Sequence, residues 1–205
     1  MSIDQLMQRA PVIPVLVLDG SCDPAALAET LVSAGLPVIE VTLRTPSALD
    51  AIRAMSGVPG AIVGAGTVLN VQMLDDAIEA GSKFIVSPGL TEPLGRAAIE
   101  SGVPFLPGIA NAGDIMRGLD LGLSRFKFFP AEAAGGLAAL KALAAPFGNV
   151  RFCPTGGIRE ETAPDWLAHP SVSCVGGSWL VEPGETDLTA IGMRAQRAAG
   201  LREAR

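Results

Sequence analysis

An α/β fold of eight β-α units closed into a barrel, within one domain, is what this sequence predicts, and three observations predict it. Short β-rich apolar runs alternate with helix-patterned segments along nearly all of the 205 residues, as parallel strands joined by helical crossovers do. The composition is 49% hydrophobic and 18% charged, which suits strands buried on both faces. The length buries one substantial core and falls short of two ordinary enzyme domains, so residues 1–205 are taken as a single domain.

The strands are expected near residues 12–18, 38–43, 61–68, 84–88, 105–109, 125–129, 151–155 and 172–176. Helical stretches at 24–34, 47–55, 73–80, 93–101 and 136–145 separate them, and Gly35, Gly81 and Gly102 follow apolar-periodic segments as helix-ending glycines do. Eight units leave about 25 residues each, near the lower limit for a closed TIM barrel, so the loops are short. An open doubly wound sheet usually carries a GxGxxG turn after its first strand, and Asp19-Gly20-Ser21-Cys22 is not one. The tail after Val181 reads as a linker and one amphipathic helix, 187–201.

Composition also excludes function classes. No apolar run reaches the roughly 18 residues of a membrane span. The start MSIDQLMQRA lacks a basic end followed by an apolar stretch, so a cytoplasmic protein with no membrane partner is expected. The odd set Cys22, Cys153 and Cys174 has no CxxC spacing and reads as packing residues. With one histidine, His169, a histidine-rich metal site and a Ser-His-Asp triad are disfavoured, and the chemistry falls to Lys, Glu, Arg and hydroxyls. A net charge of −6 disfavours nucleic acid, and an anionic substrate would need locally focused positive charge.

In such barrels chemistry sits at the C-terminal ends of strands, which singles out polar residues late in apolar runs. In the second strand, Val38-Ile39-Glu40-Val41-Thr42-Leu43-Arg44, period two puts Glu40, Thr42 and Arg44 on the face opposite Ile39, Val41 and Leu43. A structural Glu40–Arg44 network is as compatible with that pattern as catalysis is. In the sixth, Lys127 stands among Phe126, Phe128 and Phe129, where desolvation would favour its neutral, nucleophilic form. Snorkelling to solvent, or pairing with Glu40, is the alternative. Thr67 and Thr155 end the third and seventh strands and would supply hydroxyls or merely cap helices. The pairs Gly156-Gly157 and Gly176-Gly177, the latter followed by Ser178, stand after strands seven and eight, where barrels bind phosphate through backbone N–H groups, although tight turns would need the same glycines.

These residues resemble a known family, the 2-keto-3-deoxy-6-phosphogluconate (KDPG) and 4-hydroxy-2-oxoglutarate (KHG) aldolases. The resemblance rests on Glu40-Val41-Thr42-Leu43-Arg44-Thr45, Val63-Gly64-Ala65-Gly66-Thr67-Val68, Ser87-Pro88-Gly89-Leu90-Thr91, Phe126 through Glu132, Cys153-Pro154-Thr155-Gly156-Gly157 and Gly176-Gly177-Ser178-Trp179. It implies a class I, metal-independent carbon–carbon lyase that needs no cofactor. It also implies a homotrimer that releases pyruvate and glyceraldehyde 3-phosphate in the Entner–Doudoroff pathway, with KHG as a further substrate. By resemblance, Lys127 forms the Schiff base and Glu40 is the acid/base group. Arg44 and Thr67 bind the substrate carboxylate, Phe129 and Thr155 line the pocket, and Gly156, Gly157, Gly177 and Ser178 hold the phosphate. Three rivals remain at this point: an aldolase for the galactonate-derived epimer, a phosphosugar isomerase or epimerase barrel without a covalent step, and a catalytically silent sugar-phosphate-binding barrel.

Overall fold

Parallel strands and helices alternate in the computed structural model, which describes residues 1–202. In chain order the elements are α1 (Ile3–Met7), β1 (Val12–Leu16), α2 (Pro24–Ser33), β2 (Val38–Thr42), α3 (Ala48–Ser56), β3 (Ile62–Gly66), α4 (Val71–Glu79) and β4 (Ile85–Val86). There follow α5 (Glu92–Glu100), β5 (Phe105–Leu106), β6 (Gly108–Ile109), α6 (Ala112–Asp120), β7 (Arg125–Phe128), α7 (Gly136–Ala144), β8 (Arg151–Pro154), α8 (Ala163–Leu167), β9 (Val175–Gly177) and α9 (Leu188–Ala199). Every expected strand is present. The expected fifth strand is divided at Pro107, which has no N–H for the ladder, although its carbonyl still accepts from Lys127 N at 2.8 Å.

The strands form two hydrogen-bonded sheets, β5-β4-β3-β2-β1-β9 and β6-β7-β8. Pairing is parallel throughout. An isolated Thr155↔Gly176 bridge lies between the ends of β8 and β9. The expected eighth strand, 172–176, moves toward the C-terminus: Val172 makes only a bridge to Phe152, and the ladder to β1 begins at Val175.

Helix starts follow from capping chemistry. Asp23 caps α2 ahead of Pro24, Asn70 caps α4 by accepting from Met73 N, and Asp187 caps α9. Gly35, Gly81 and Gly102 take left-handed backbone after α2, α4 and α5, as expected (φ 91°, 100° and 72°). Three helices, α1, α6 and α8, lay outside the expectation. Helix α6 is interrupted in sequence by Gly113 and Gly118, and Gly118 is there for space: a Cβ would lie 2.3 Å from the Phe126 ring. Helix α1 places Leu6 and Met7, both buried, against Ile13, Val38, Phe84, Val86, Leu106, Cys153 and Cys174. Asp4 of α1 pairs with Arg125, which tethers this helix to the start of β7.

Alternation along the strands divides the core. Ile39, Val41, Phe126, Phe128 and Phe152 pack in the large cluster shared with the helices, whereas Val38, Ile13 and Cys153 join α1 in the second. Lys127 therefore faces away from Phe126 and Phe128. That corrects one expectation: those two rings do not sandwich the amine, because neighbours in a strand point to opposite faces.

Candidate active site

Lys127 and Glu40 come together from strands 87 positions apart in sequence. Lys127 Nζ donates to Glu40 Oε1 at 3.0 Å, with both side chains nearly inaccessible (6% and 4% exposed). Neighbouring backbone makes room for them. Thr42 of β2 stands opposite Gly66 of β3, and a Cβ on Gly66 would lie 2.1 Å from Glu40 Oε1 and 2.7 Å from its Cδ. The carboxylate occupies the volume of the missing side chain. Gly64 makes way for Phe84 in the same manner, at 2.5 Å. The sequence Gly64-Ala65-Gly66 is therefore a packing requirement on both sides of Ala65.

Arg44 lies just beyond β2 and is exposed; its Nε donates to Thr67 Oγ1 at 3.2 Å. Thr67 has φ 60° without being glycine, the kind of backbone outlier that accumulates at functional sites. The residues after Arg44 are anchored to β1: Thr45 Oγ1 and Ser47 Oγ donate to Leu18 O at 2.5 and 2.9 Å. Thr42 Oγ1 donates to Leu16 O at 2.8 Å. The Glu40–Arg44 network left open by the sequence gives way to two separate pairs, Glu40–Lys127 and Arg44–Thr67.

Phe129 supplies the aromatic face nearest the amine, 5.3 Å from Lys127 Nζ to its ring centroid. Its ring lies 3.3 Å from where a Gly156 Cβ would be, so it stands between Lys127 and the Gly156-Gly157 turn. Both glycines have positive φ (104° and 81°), which side chains resist. Thr155 is buried and its Oγ1 donates to Cys153 O at 3.3 Å. A Cβ on Gly176 would lie 2.3 Å from that hydroxyl oxygen. Gly177 ends β9 against Trp179, and Ser178 follows it, exposed. The Thr155↔Gly176 bridge brings the two glycine pairs together. All these residues lie at or just past the carboxyl ends of parallel strands, whereas the concavity between α5 and α6, lined by Leu90, Arg96, Arg117 and Asp120, contains none of them.

One contact escaped the sequence reading. Trp166 Nε1, on α8, donates to Glu132 Oε1 at 3.1 Å. Residues 34 positions apart give no periodic signal; only the buried indole's need for an acceptor points to such a partner.

Fold and site together define a parallel α/β protein with an amine–carboxylate centre at its strand ends, an arrangement suited to carbonyl chemistry. Comparison with known proteins narrows the class. The family model described as KDPG and KHG aldolase matches residues 3–193, and the chain belongs to that family. Solved 2-keto-3-deoxy-6-phospho-gluconate aldolase from Zymomonas mobilis is similar with a TM-score of 0.96 and 57% identity, covering 98% of each chain. The KHG/KDPG aldolase of Escherichia coli is 51% identical over 207 aligned positions, 98% of this chain and 97% of that one. The KDPG aldolase of Legionella pneumophila, solved with pyruvate captured as a covalent carbinolamine, has a TM-score of 0.87 and 40% identity over 100% of this chain and 98% of that one.

Proposed function

We propose that this chain is a class I aldolase that cleaves KDPG to pyruvate and glyceraldehyde 3-phosphate through a Schiff base on Lys127. The observation that carries the reading is the buried 3.0 Å contact between Lys127, the only lysine on a strand among the described residues, and a carboxylate. The amine attacks the C2 ketone and forms a carbinolamine; loss of water gives an iminium. Glu40 takes the proton of the C4 hydroxyl as the C3–C4 bond breaks, and the bonding pair collapses into the iminium as an enamine. Proton return to C3 and addition of water release pyruvate and restore the lysine.

In this reading Arg44 and Thr67 receive the substrate carboxylate, the guanidinium as a charged fork. Phe129 and Thr155 wall the pocket, and Gly156, Gly157, Gly177 and Ser178 present N–H groups and a hydroxyl to the phosphate. KHG, lacking a phosphate, uses the same amine and carboxylate and yields pyruvate and glyoxylate. The galactonate-derived epimer differs at one hydroxyl and meets the same groups. The iminium is the electron sink, so neither metal nor cofactor enters, and treatment with a chelator leaves turnover unchanged.

The same proposal includes one closed (β/α)8 barrel, a homotrimer and a cytoplasmic location. Supporting closure are the continuity of β5 and β6 around Pro107 and the bridge between β8 and β9. Among the described residues no helix is long and apolar enough to cross a membrane.

Borohydride reduction in the presence of pyruvate, followed by peptide mass spectrometry, tests the covalent step. An adduct on Lys127 is expected. A folded protein without an adduct would favour an isomerase or epimerase in which Lys127 acts only through its charge, or a binding protein without turnover.

A further inference from the structure

We infer that Glu132 and Trp166 are positioning residues for the substrate phosphate, holding the Gly156-Gly157 turn in the shape that receives it and so setting the preference for phosphorylated substrate. The inference rests on the aldolase reading above. The turn is held first through its backbone. Ala131 N donates to Thr155 O at 2.8 Å and Glu132 N to Gly156 O at 3.0 Å. With those carbonyls engaged, the turn has its N–H groups to offer an anion.

The Glu132 side chain adds a second hold. A Cβ on Gly157 would lie 2.8 Å from both Cβ and Cγ of Glu132, so the stem of Glu132 rests on the Gly157 backbone. Its carboxylate is fixed by the indole of Trp166, itself 2% exposed and anchored in the core. Trp166 lies on α8, which follows the same turn in sequence, so Glu132 grips the 156–166 segment at both ends. The other carboxylate oxygen faces Gly136 at the start of α7, where a helix N-terminus favours negative charge. An anionic residue is thereby accommodated beside an anion site.

Phe129 stands between this turn and Lys127, which separates what Glu132 and Trp166 control from the imine chemistry. Loss of their hydrogen bond is therefore felt at the phosphate end of the substrate.

The test uses the full chain with Glu132→Ala, Glu132→Gln and Trp166→Phe. Two quantities are compared: KM for KDPG, and the rate of inactivation by borohydride with pyruvate, which has no phosphate. Glu132→Ala and Trp166→Phe are expected to raise KM about tenfold, as loss of a hydrogen bond to a charged group implies. Glu132→Gln, which keeps an acceptor oxygen for the indole, restores most of the affinity. Pyruvate-dependent inactivation stays near the wild-type rate in all three. Unchanged KM in Glu132→Ala and Trp166→Phe, or pyruvate inactivation falling in step with the rise in KM, overturns the inference. Glu132 is exposed, so its variants decide the matter even where Trp166→Phe lowers the melting temperature too far. Failure of pyruvate to trap the wild type would instead bring down the aldolase reading itself, and this inference with it.

Discussion

Replacing Gly66 with alanine inserts a single carbon where the Glu40 carboxylate now lies. The Cβ would stand 2.1 Å from Oε1, whereas carbon and oxygen do not normally approach within about 3.3 Å. The carboxylate must retreat by roughly 1 Å, which stretches its 3.0 Å contact with Lys127 Nζ beyond hydrogen-bonding distance. A displacement of that size costs about a hundredfold in rate where proton transfer depends on alignment. Crowding the strand adds about 1–3 kcal/mol of destabilisation. The rate is read as pyruvate release in a coupled NADH-consuming assay, and stability by urea titration. Gly64→Ala is the control: Gly64 is the cross-strand partner of Glu40, but its Cβ would strike the Phe84 ring at 2.5 Å, a comparable insult aimed at a ring instead of at the carboxylate. It should lose stability while the folded fraction keeps its turnover number. A Gly66→Ala enzyme within about threefold of wild-type kcat, or a Gly64→Ala enzyme just as impaired, refutes the argument that Gly66 places Glu40.

Lys127→Met should abolish turnover and cost about 3–5 kcal/mol, because it leaves a buried carboxylate without its partner; adding Glu40→Leu should recover much of that stability and none of the activity, as urea titration of both variants will show. The Arg194 guanidinium donates to Glu185 and holds its carboxyl below the ordinary carboxylate range. A lowered folded-state pKa stabilises the protein above the unfolded-state value and ceases to do so as pH falls through the folded one. Glu185→Gln should therefore lower stability by up to about 1 kcal/mol near neutrality, with the difference from wild type vanishing in acid; a difference that grows toward low pH would contradict this.

How much of this was legible beforehand follows from where each signal resides. Buried parallel strands read as apolar runs, so residues 38–42 and 125–128 stood out, and a charged residue inside each run marked Glu40 and Lys127. Their partners were legible only as alternatives: Lys127 was open to snorkelling or to pairing with Glu40, and Glu40 to a network with Arg44, and the structure has the Lys127–Glu40 pair. Period two states that Glu40 and Arg44 share a face, but not that Glu40 reaches across to Lys127 while Arg44 turns to Thr67. The same period, applied to Lys127, would have removed Phe126 and Phe128 from its surroundings and left Phe129. Helix α6 was hidden because Gly118, needed for the approach of Phe126, weakens the helical pattern. Helix α1 was hidden by its brevity: five residues carry too little periodicity to register.

The pairing of β1 with β9 joins Val12 to Val175. During synthesis the first strand can take β2 on one side as soon as both have left the ribosome, but its other edge must wait for a segment about 160 residues later. At the usual rates of translation that is on the order of ten seconds, during which an apolar strand of five buried residues offers an open ladder to any passing chain. The seam that unites the beginning and end of the chain is therefore also its period of greatest exposure. Slowing elongation in the final units should show up as aggregation of nascent chains, with the mature enzyme unaffected.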